Sequence, residues 1–444
     1  ILFQYDRVNP TTWAYLSSLL TLALFFKFSR FWAVRNLDLL LVILLAPGLL
    51  CVKYGLDAAG AEGAASIEVL GYVWLFAINL LLLLRMVLDS TMVRRPLLEP
   101  NLTADALAFL VIALLVFLTA NVVTGTVAQA DVFAAQRAEH LSHLESSQLE
   151  QSTLNTHGPG FTLVFFLPHI STQTLLGDDA PRSDLDSPGY SGARIVTARV
   201  VAIISQLLIV SGLVLVSLWH FDSVRMGIAA AALYLLLPYT AMWTGNVTHA
   251  LPGALLVWAV LFYRQPLIAG ALLGLLVGTI YYPVFLLPLW VSFYWRRGVW
   301  RFASGVAASI SLLIVTLVFT STDAAMFFAR LQQMFGFQLP MIEGLSGAWA
   351  YWSGYYRYPL IAVFAFLSIS FVPWPAQKNL GSLLSCSAAL MVGTQFWHAH
   401  SGGMSLAWYL PVLLLTVFRP NLEDRVALQV VSPSRWDRSA RKAA

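Results

Sequence analysis

Long apolar runs, separated by short polar or basic turns, recur along almost the whole chain. Leucine and alanine, which favour helices, dominate these runs. A helix that crosses a bilayer needs about 20 apolar residues, and somewhat shorter runs suit tilted or thin packing. The pattern predicts an all-α polytopic membrane protein with about 13 transmembrane helices. The predicted spans are 13–29, 37–52, 69–88, 104–123, 195–219, 226–243, 247–263, 267–280, 284–295, 302–320, 358–373, 380–396 and 404–418.

One apolar run can be interpreted in two ways. The run 267–295 has about 29 residues, more than one crossing needs. It is either one tilted helix with a proline kink or two helices that meet at 281–283, where a proline interrupts the helical hydrogen bonds. Basic residues concentrate in cytoplasmic loops. Only two helices place Arg296, Arg297 and Arg301 on the cytoplasmic side, so we predict two helices.

The same rule orients the chain. Lys27, Arg30 and Arg35 follow the first span, which predicts an external N-terminus. The segment 124–193 is rich in acidic residues and is predicted to be external. Thirteen spans then bring the C-terminus to the cytoplasm. The predicted external loops are 124–193, 244–249, 281–283, 321–357 and 397–403.

Composition supports the membrane class and narrows the partners. Of the residues, 59% are hydrophobic and only 11% are charged, with a mean hydropathy of +0.74. The net charge of +4 does not indicate nucleic acid, because the basic residues lie in short loops where topology explains them. Cys51 and Cys386 both lie in apolar runs, so no disulfide framework is predicted. The expected partners are membrane lipids rather than nucleic acid.

The chain divides into three predicted parts. Residues 1–100 form an N-terminal three-helix membrane segment, and residues 101–420 form a larger transmembrane module that contains the external loop 124–193. Residues 421–444 form a basic cytoplasmic tail.

Candidate chemistry must come from scattered residues, because the sequence holds no HExxH, CxxC, P-loop or GxSxG motif. Apolar residues recur at three- and four-residue spacing from Phe133 to Leu144, which predicts an interfacial helix at the start of the large loop. Asp131 lies at the start of this helix. Its carboxylate is either a plain helix cap or a general base or metal-binding group above the bilayer.

Three further residues belong to the large loop and the span that follows it. His157 precedes a Gly-Pro-Gly turn and a short apolar segment that is predicted to be re-entrant or interfacial. Arg194 and Arg199 open the fifth span. An arginine at this depth either snorkels to the interface or binds an anionic group such as a phosphate.

The last two external loops supply aromatic and histidine candidates. Trp352 and Arg357 lie in the aromatic stretch 345–360, which is either an interfacial belt or a stacking platform for sugars with the arginine on a phosphate. His398 and His400 lie at the outer end of a span. Histidines two residues apart do not share a helical face, so we predict substrate hydrogen bonding rather than a metal site.

The order of several motifs is similar to that of a known enzyme superfamily. The first motif, "ARVVAIISQLLIV", places an arginine at the start of a span. It is followed by a span that a proline interrupts and by a polar turn. Then "AGALLG" opens a helix that breaks at "YYP", and the chain returns to the basic loop "RRGVWRFA". This order, over about residues 104–420, resembles the GT-C superfamily of integral-membrane glycosyltransferases, in particular bacterial mannosyl- or arabinosyltransferase-like members. Two features depart from the family: Asp131 has no adjacent acid, and Tyr281 stands where a lysine is common.

The resemblance implies an inverting transfer from a polyprenyl-phosphate sugar on the external face of the bacterial inner membrane. It implies that Asp131 acts as base or metal ligand, which leaves open a divalent cation as cofactor. Arg199 would stabilise the departing phosphate. Tyr282 becomes a candidate for the rim of the site.

Three functions therefore remain as hypotheses. The first is the glycosyltransferase, with catalysis either retained or lost. The second is a non-catalytic membrane subunit or scaffold with protein partners in a larger complex, because a fold does not fix a function. The third is a transporter or flippase, against which the sequence shows few charged residues inside the spans and no inverted repeat.

Overall fold

A computed structural model describes residues 9–92, 98–142, 158–176, 191–321, 323–335, 342–400 and 402–420. The described residues form helices joined by turns, and they contain no β-strand. The α-helices are α1 Pro10–Phe25, α2 Val34–Ile43, α3 Leu45–Asp57, α4 Ala64–Asp89, α5 Ala104–Thr124, α6 Gln129–Ser142, α7 Pro159–Leu176, α8 Gly192–His220, α9 Val224–Leu236, α10 Pro238–Trp243, α11 Val247–Leu261, α12 Pro266–Thr279, α13 Leu287–Tyr294, α14 Val299–Thr320, α15 Ala324–Phe335, α16 Arg357–Ser370, α17 Leu380–Thr394 and α18 Leu410–Phe418.

Several of these helices fit a membrane protein by length and composition. In the described ranges, the segments long and apolar enough to cross a bilayer are Val34–Asp57, Ala64–Asp89, Ala104–Thr124, Gly192–His220 and Val299–Val318. Shorter apolar helices are Val224–Leu236, Val247–Leu261, Pro266–Thr279, Tyr282–Tyr294 and Leu380–Thr394. For the described residues, the prediction of an all-helical fold is confirmed, and several of the helices are long and apolar enough to cross a membrane.

The run 267–295 consists of two helical segments with a corner between them. Helix α12 ends at Thr279, and a short 3-10 helix, Tyr282–Leu286, leads into α13. Helices α12 and α14 pack so closely that a Cβ on Gly270 would lie 2.2 Å from the Phe302 carbonyl oxygen. A Cβ on Gly278 would lie 2.0 Å from the Leu313 side chain. Both pairs advance in the same chain direction, so α12 and α14 are parallel and the segment between them runs back across the bundle.

This reversal places basic residues at one end of the bundle. The hydroxyl of Tyr294, at the end of α13, donates a hydrogen bond of 2.6 Å to the carbonyl oxygen of Tyr263. Arg264 therefore lies at the same end as Arg296 and Arg297. The predicted break at 281–283 is confirmed, and it brings Arg296 and Arg297 to the end of the bundle where Arg264 lies.

Arg225 and Lys27 lie at the same end of the bundle, as the following contacts show. The His220 ring nitrogen Nε2 lies 2.8 Å from the carbonyl oxygen of Leu261, which joins the ends of α8 and α11. Arg225, in the first turn of α9, donates to the carbonyl oxygen of Pro100 at 3.0 Å. The neighbouring Asn101 accepts a hydrogen bond from the Lys27 ammonium. We call this end of the bundle the basic end.

A buried ion-pair network at the basic end joins the N-terminal helices to the last helix. The Arg85 guanidinium forms a bidentate salt bridge with Asp38, with hydrogen bonds of 2.6 and 2.9 Å, and donates a third hydrogen bond of 3.0 Å to Asp89. Arg419 donates to the other oxygen of Asp89 at 2.6 Å. All four side chains are buried. Two guanidinium groups and two carboxylates balance in charge, which is the condition under which buried ions are tolerated.

The described parts of the large loop are helical. The helix predicted from Phe133 onward is confirmed as α6, and Asp131 lies in its first turn. Helix α7, which has 18 residues and Pro168 inside it, contains the short apolar segment and begins at Pro159, so Pro159 and Gly160 of the predicted Gly-Pro-Gly turn belong to its first turn. The backbone N–H of Gly158 donates to the carbonyl oxygen of Thr279 at 2.9 Å, so this turn packs on the end of α12. His157 and the tail 421–444 lie outside the described residues.

Candidate functional site

The candidate residues lie at the end of the bundle opposite the basic end. Helices α4, α8 and α11 reach the basic end with their last turns, and α12 reaches it with its first turn. Their other ends, at Ala64, Gly192, Val247 and Thr279, are therefore at the opposite end, which we call the loop end. The predicted external turns 244–249, 281–283 and 397–403 connect helices at this end.

The Asp131 side chain accepts a hydrogen bond from the start of α11 rather than from the start of its own helix, α6. Its Oδ2 accepts a hydrogen bond of 3.0 Å from the backbone N–H of Val247, the first residue of α11. The side chain is 0% exposed, and its Oδ1 has no hydrogen-bond partner among the described residues. Burial raises the pKa of Asp131 to about 7, against the opposing effect of the Val247 hydrogen bond. The group can therefore exchange a proton near neutral pH.

The two arginines that open α8 have different surroundings. Arg194 pairs with Glu139 of α6, with 2.7 Å between Nε and Oε2. Arg199 is buried one turn further along α8, and its Nη2 donates to the carbonyl oxygen of Gly125 at 3.1 Å. Both arginines hold the large loop against α8. Gly125 is the C-cap of α5, so Arg199 fixes the point where the chain enters the loop.

A second group of predicted residues gathers at the corner 281–283. The Tyr282 ring stacks on His398, with centroids 4.6 Å apart, and its hydroxyl accepts a hydrogen bond of 3.3 Å from the backbone N–H of Ala399. Arg357 is only 2% exposed and donates through Nε to the carbonyl oxygen of Trp397 at 3.0 Å. The structure thus brings Tyr282, Arg357 and His398 together, with the arginine beneath the turn rather than at the surface.

His400 and Trp352 complete this second group. The His400 Nδ1 lies 3.2 Å from the Ser346 hydroxyl, whereas its Nε2 is buried without a hydrogen-bond partner among the described residues. Burial first, and then the positive charge of Arg357, lower the pKa of His400. Trp352 stacks on Phe76 of α4 at 5.8 Å. The stretch 345–360 therefore packs against α4 through Trp352.

The first turn of α11 connects the two groups. Val247 bonds to Asp131, and the carbonyl oxygen of the next residue, Thr248, accepts a hydrogen bond of 3.0 Å from the Trp408 indole. The Trp408 ring lies 5.1 Å from His398 and 5.7 Å from Tyr282, measured between centroids. Six of the predicted residues, Asp131, Arg199, Tyr282, Arg357, His398 and His400, are therefore organised around neighbouring turns of the loop end.

The sequence interpretation missed several residues in this region. His249 follows Thr248, stacks on Trp243 at 4.5 Å and is hydrogen-bonded to the Tyr239 hydroxyl. A histidine in the polar turn 244–249 was the available signal. Trp408 had no comparable signal, because it lies in an apolar run where a tryptophan is ordinary.

A cavity of about 580 Å³ lies beside this turn. Its wall combines two tryptophans with an ion pair and two amides: Trp13, Trp243, Lys53, Asp57, Asn121 and Asn246. Lys53 and Asp57 are 2.8 Å apart. Neither Asp131 nor Arg199 lines the cavity. Instead, the cavity is lined by Gly125, the hydrogen-bond acceptor of Arg199, and by Asn246, which directly precedes the hydrogen-bond donor to Asp131.

The described residues place no second metal ligand beside Asp131. In the described ranges, no group of three or more His, Cys, Asp or Glu side chains is close enough to hold one. Asp131 supplies a single carboxylate without a second acid beside it. The region therefore combines one buried carboxyl group with a nearby cavity whose wall carries tryptophan and amide side chains.

Searches with this chain against protein-family models, curated proteins and solved structures found no match.

Proposed function

We propose that the protein is an integral-membrane glycosyltransferase of the GT-C type, with thirteen spans and its active site at the loop end. It transfers a sugar from a polyprenyl-phosphate donor to an acceptor hydroxyl. The proposal includes a bacterial inner-membrane location, an external N-terminus and a cytoplasmic C-terminus, which would place the loop end outside. The observation that carries it is the buried carboxylate of Asp131, whose pKa is raised to about 7 beside a polar and aromatic cavity.

A carboxylate with this pKa suits a general base. The most effective base has a pKa near the working pH, because it is then both ionised and basic enough to accept a proton. In the proposed reaction, Asp131 takes the proton of the acceptor hydroxyl. The acceptor oxygen forms a bond to the anomeric carbon as the bond from that carbon to the lipid phosphate breaks. The phosphate departs with the electron pair, and the configuration at carbon inverts.

The surrounding side chains support a sugar-phosphate substrate. Trp13 and Trp243 contribute aromatic surface to the cavity wall, and Asn121 and Asn246 contribute amide groups. Such a mixture suits the apolar faces and hydroxyl edges of a sugar. Arg199 donates a hydrogen bond to Gly125, which lines the same cavity. We assign to it the stabilisation of the departing phosphate.

Because Asp131 is covered, catalysis requires α6 to move relative to α11. The carboxylate is fully buried, and Asn246 rather than Val247 or Asp131 lines the cavity. A small displacement of the first turn of α6 would expose the free Oδ1. Lid-like movements of this kind commonly complete an active site when substrate binds.

A second candidate function is a non-catalytic membrane subunit. Two observations favour it: Asp131 already caps α11, and Arg194 already pairs with Glu139. In this alternative both side chains stabilise the loop end, and neither meets a substrate.

A transfer assay in membranes distinguishes the two functions. Membranes that contain the protein are supplied with polyprenyl-phosphate mannose or polyprenyl-phosphate arabinose that carries a radiolabelled sugar. We expect transfer by the wild type and a loss of at least about 100-fold in Asp131→Asn, because general-base catalysis contributes roughly that much or more. Asp105→Asn, an exposed residue of α5, is the matched control and retains full activity. Absence of transfer by the wild type, or equal activity in Asp131→Asn, would favour the non-catalytic subunit.

A further inference from the structure

A second cavity lies at the basic end, far from the candidate active site. It is a groove of about 770 Å³ between the last turn of α13 and the segment 371–379 that connects α16 to α17. Its walls are mainly apolar and include Val291, Trp295 and Val372. Cations from two separate segments of the chain line it as well.

Three positive charges converge on this groove. Arg296 and Arg297 follow α13, and Lys378 precedes α17. The Lys378 ammonium donates to the carbonyl oxygens of Val372 at 2.8 Å and of Pro375 at 3.2 Å, so backbone contacts hold it in place. No aspartate or glutamate lines the groove. Among the described residues, the three cations therefore have no carboxylate beside them in the wall of the groove.

The groove also faces the surroundings of the bundle. Two apolar side chains of its wall, Trp295 and Val372, are 67% and 43% exposed. Exposed apolar side chains at the interface of a membrane protein suit contact with lipid. A ligand in the groove would have an apolar part beside Trp295 and Val372 and an anionic part beside the three cations.

We propose that this groove binds an anionic phospholipid of the bilayer leaflet at the basic end, with its phosphate between Arg296, Arg297 and Lys378. The groove is complementary to such a lipid in two ways. Its cations alone would also suit a free anion, and its apolar walls alone would also suit any lipid, but an anionic phospholipid matches both. A topological preference for basic loops explains why the cations are at this end, but it does not explain their convergence on one groove. The proposal is independent of sugar transfer at the loop end.

The test measures lipid binding by the full-length protein. Native mass spectrometry from detergent micelles gives the dissociation constant of the first bound lipid, with dioleoylphosphatidylglycerol as the anionic probe and dioleoylphosphatidylcholine as the neutral one. We expect the wild type to bind the anionic lipid at least about tenfold more tightly, since juxtamembrane cations each add measurable attraction to anionic lipid. The triple variant R296Q, R297Q, K378Q loses this preference. The control Arg301→Gln, an exposed cation of α14 that does not line the groove, keeps it.

A steric variant and a soluble anion complete the design. Ala376→Trp fills the exposed mouth of the groove without changing a charge, and we expect it to weaken binding of the anionic lipid. Inorganic phosphate at millimolar concentration is expected not to displace the lipid. The proposal is overturned if the triple variant binds both lipids like the wild type, if Arg301→Gln causes the same loss, or if inorganic phosphate alone competes fully. Loss of preference in the triple variant together with weaker binding in Ala376→Trp supports it.

Discussion

Replacement of Asp131 by asparagine is expected to remove a large pH dependence of stability. The folded protein holds the Asp131 proton up to about pH 7, whereas the ordinary value for an aspartate is 3.8. Between these two pH values the folded state therefore binds one more proton than the unfolded state, and stability falls as the pH rises. A tenfold change in proton concentration is worth 1.36 kcal/mol for such a group, so the loss between pH 4 and pH 8 is about 4 kcal/mol.

Asparagine is a suitable probe because it keeps the shape of the side chain. Its amide oxygen can still accept the hydrogen bond from the Val247 N–H, while the side chain no longer ionises. Below about pH 3.8, where the aspartate is neutral in both the folded and the unfolded state, wild type and variant should be similarly stable. At pH 8 the variant should be more stable by up to about 4 kcal/mol, since the wild type then carries a buried, largely uncompensated charge.

The measurement is unfolding of the purified protein in detergent, followed by circular dichroism, at a series of pH values. The quantity that matters is the difference in unfolding free energy between wild type and Asp131→Asn at each pH. Asp105→Asn, at an exposed site, controls for the general effect of removing a negative charge. If the difference between wild type and Asp131→Asn stays constant from pH 4 to pH 8, Asp131 is ionised throughout and its pKa is not raised.

Three further predictions concern packing, the ion network and the cavity. Asp89→Asn should lower the free energy of unfolding in detergent by about 3 kcal/mol, because the buried guanidinium groups of Arg85 and Arg419 lose part of their charge balance. A decrease of less than about 1 kcal/mol would contradict this prediction. Gly253→Ala should cost about 1–3 kcal/mol in the same assay, since a Cβ there would lie 2.2 Å from the Ala407 carbonyl oxygen, and unchanged stability would disprove the close approach. Trp243→Ala should lower the sugar-transfer rate about tenfold, because the sugar loses its contact with the indole ring. Trp219→Ala, at an exposed position, should leave the rate unchanged. Equal effects of the two variants would show that the cavity is not part of the active site.

The sequence predicted those features that depend on local pattern and on charge. The corner at 281–283 followed from proline chemistry and from the charges of Arg296 and Arg297. Helix α6 followed from apolar residues at three- and four-residue spacing. Both features are determined by neighbouring residues, so a reading along the chain could find them.

Features that arise from helix packing could not be predicted in this way. Asp131 and Val247 are 116 positions apart, and nothing in either local sequence indicates their hydrogen bond. The same applies to Arg85 and Asp38, 47 positions apart in the buried network. The burial of Arg357 beneath a turn could not be predicted from the sequence either. An arginine within the aromatic stretch 345–360 is equally compatible with an exposed position.

The boundaries of the shorter helices show a smaller limitation. The predicted span 226–243 is divided by Pro238 into α9 and α10, and the predicted span 37–52 is formed by α2 and α3 together. Proline at the first position of a helix explains the first division, because it starts a new helix as readily as it ends one. The number of crossings and the orientation of the termini stay predictions.

The most direct test of the proposed function is the pH dependence of sugar transfer. Membranes with wild-type protein are assayed for transfer from a radiolabelled polyprenyl-phosphate sugar between pH 5 and pH 9. The base must be ionised to accept the acceptor proton, so we predict a rate that rises with an apparent pKa of about 7 and then levels off. Asp131→Asn should show no such rise. A wild-type rate that is independent of pH across this range, or no transfer at any pH, would contradict the assignment of Asp131 as the catalytic base.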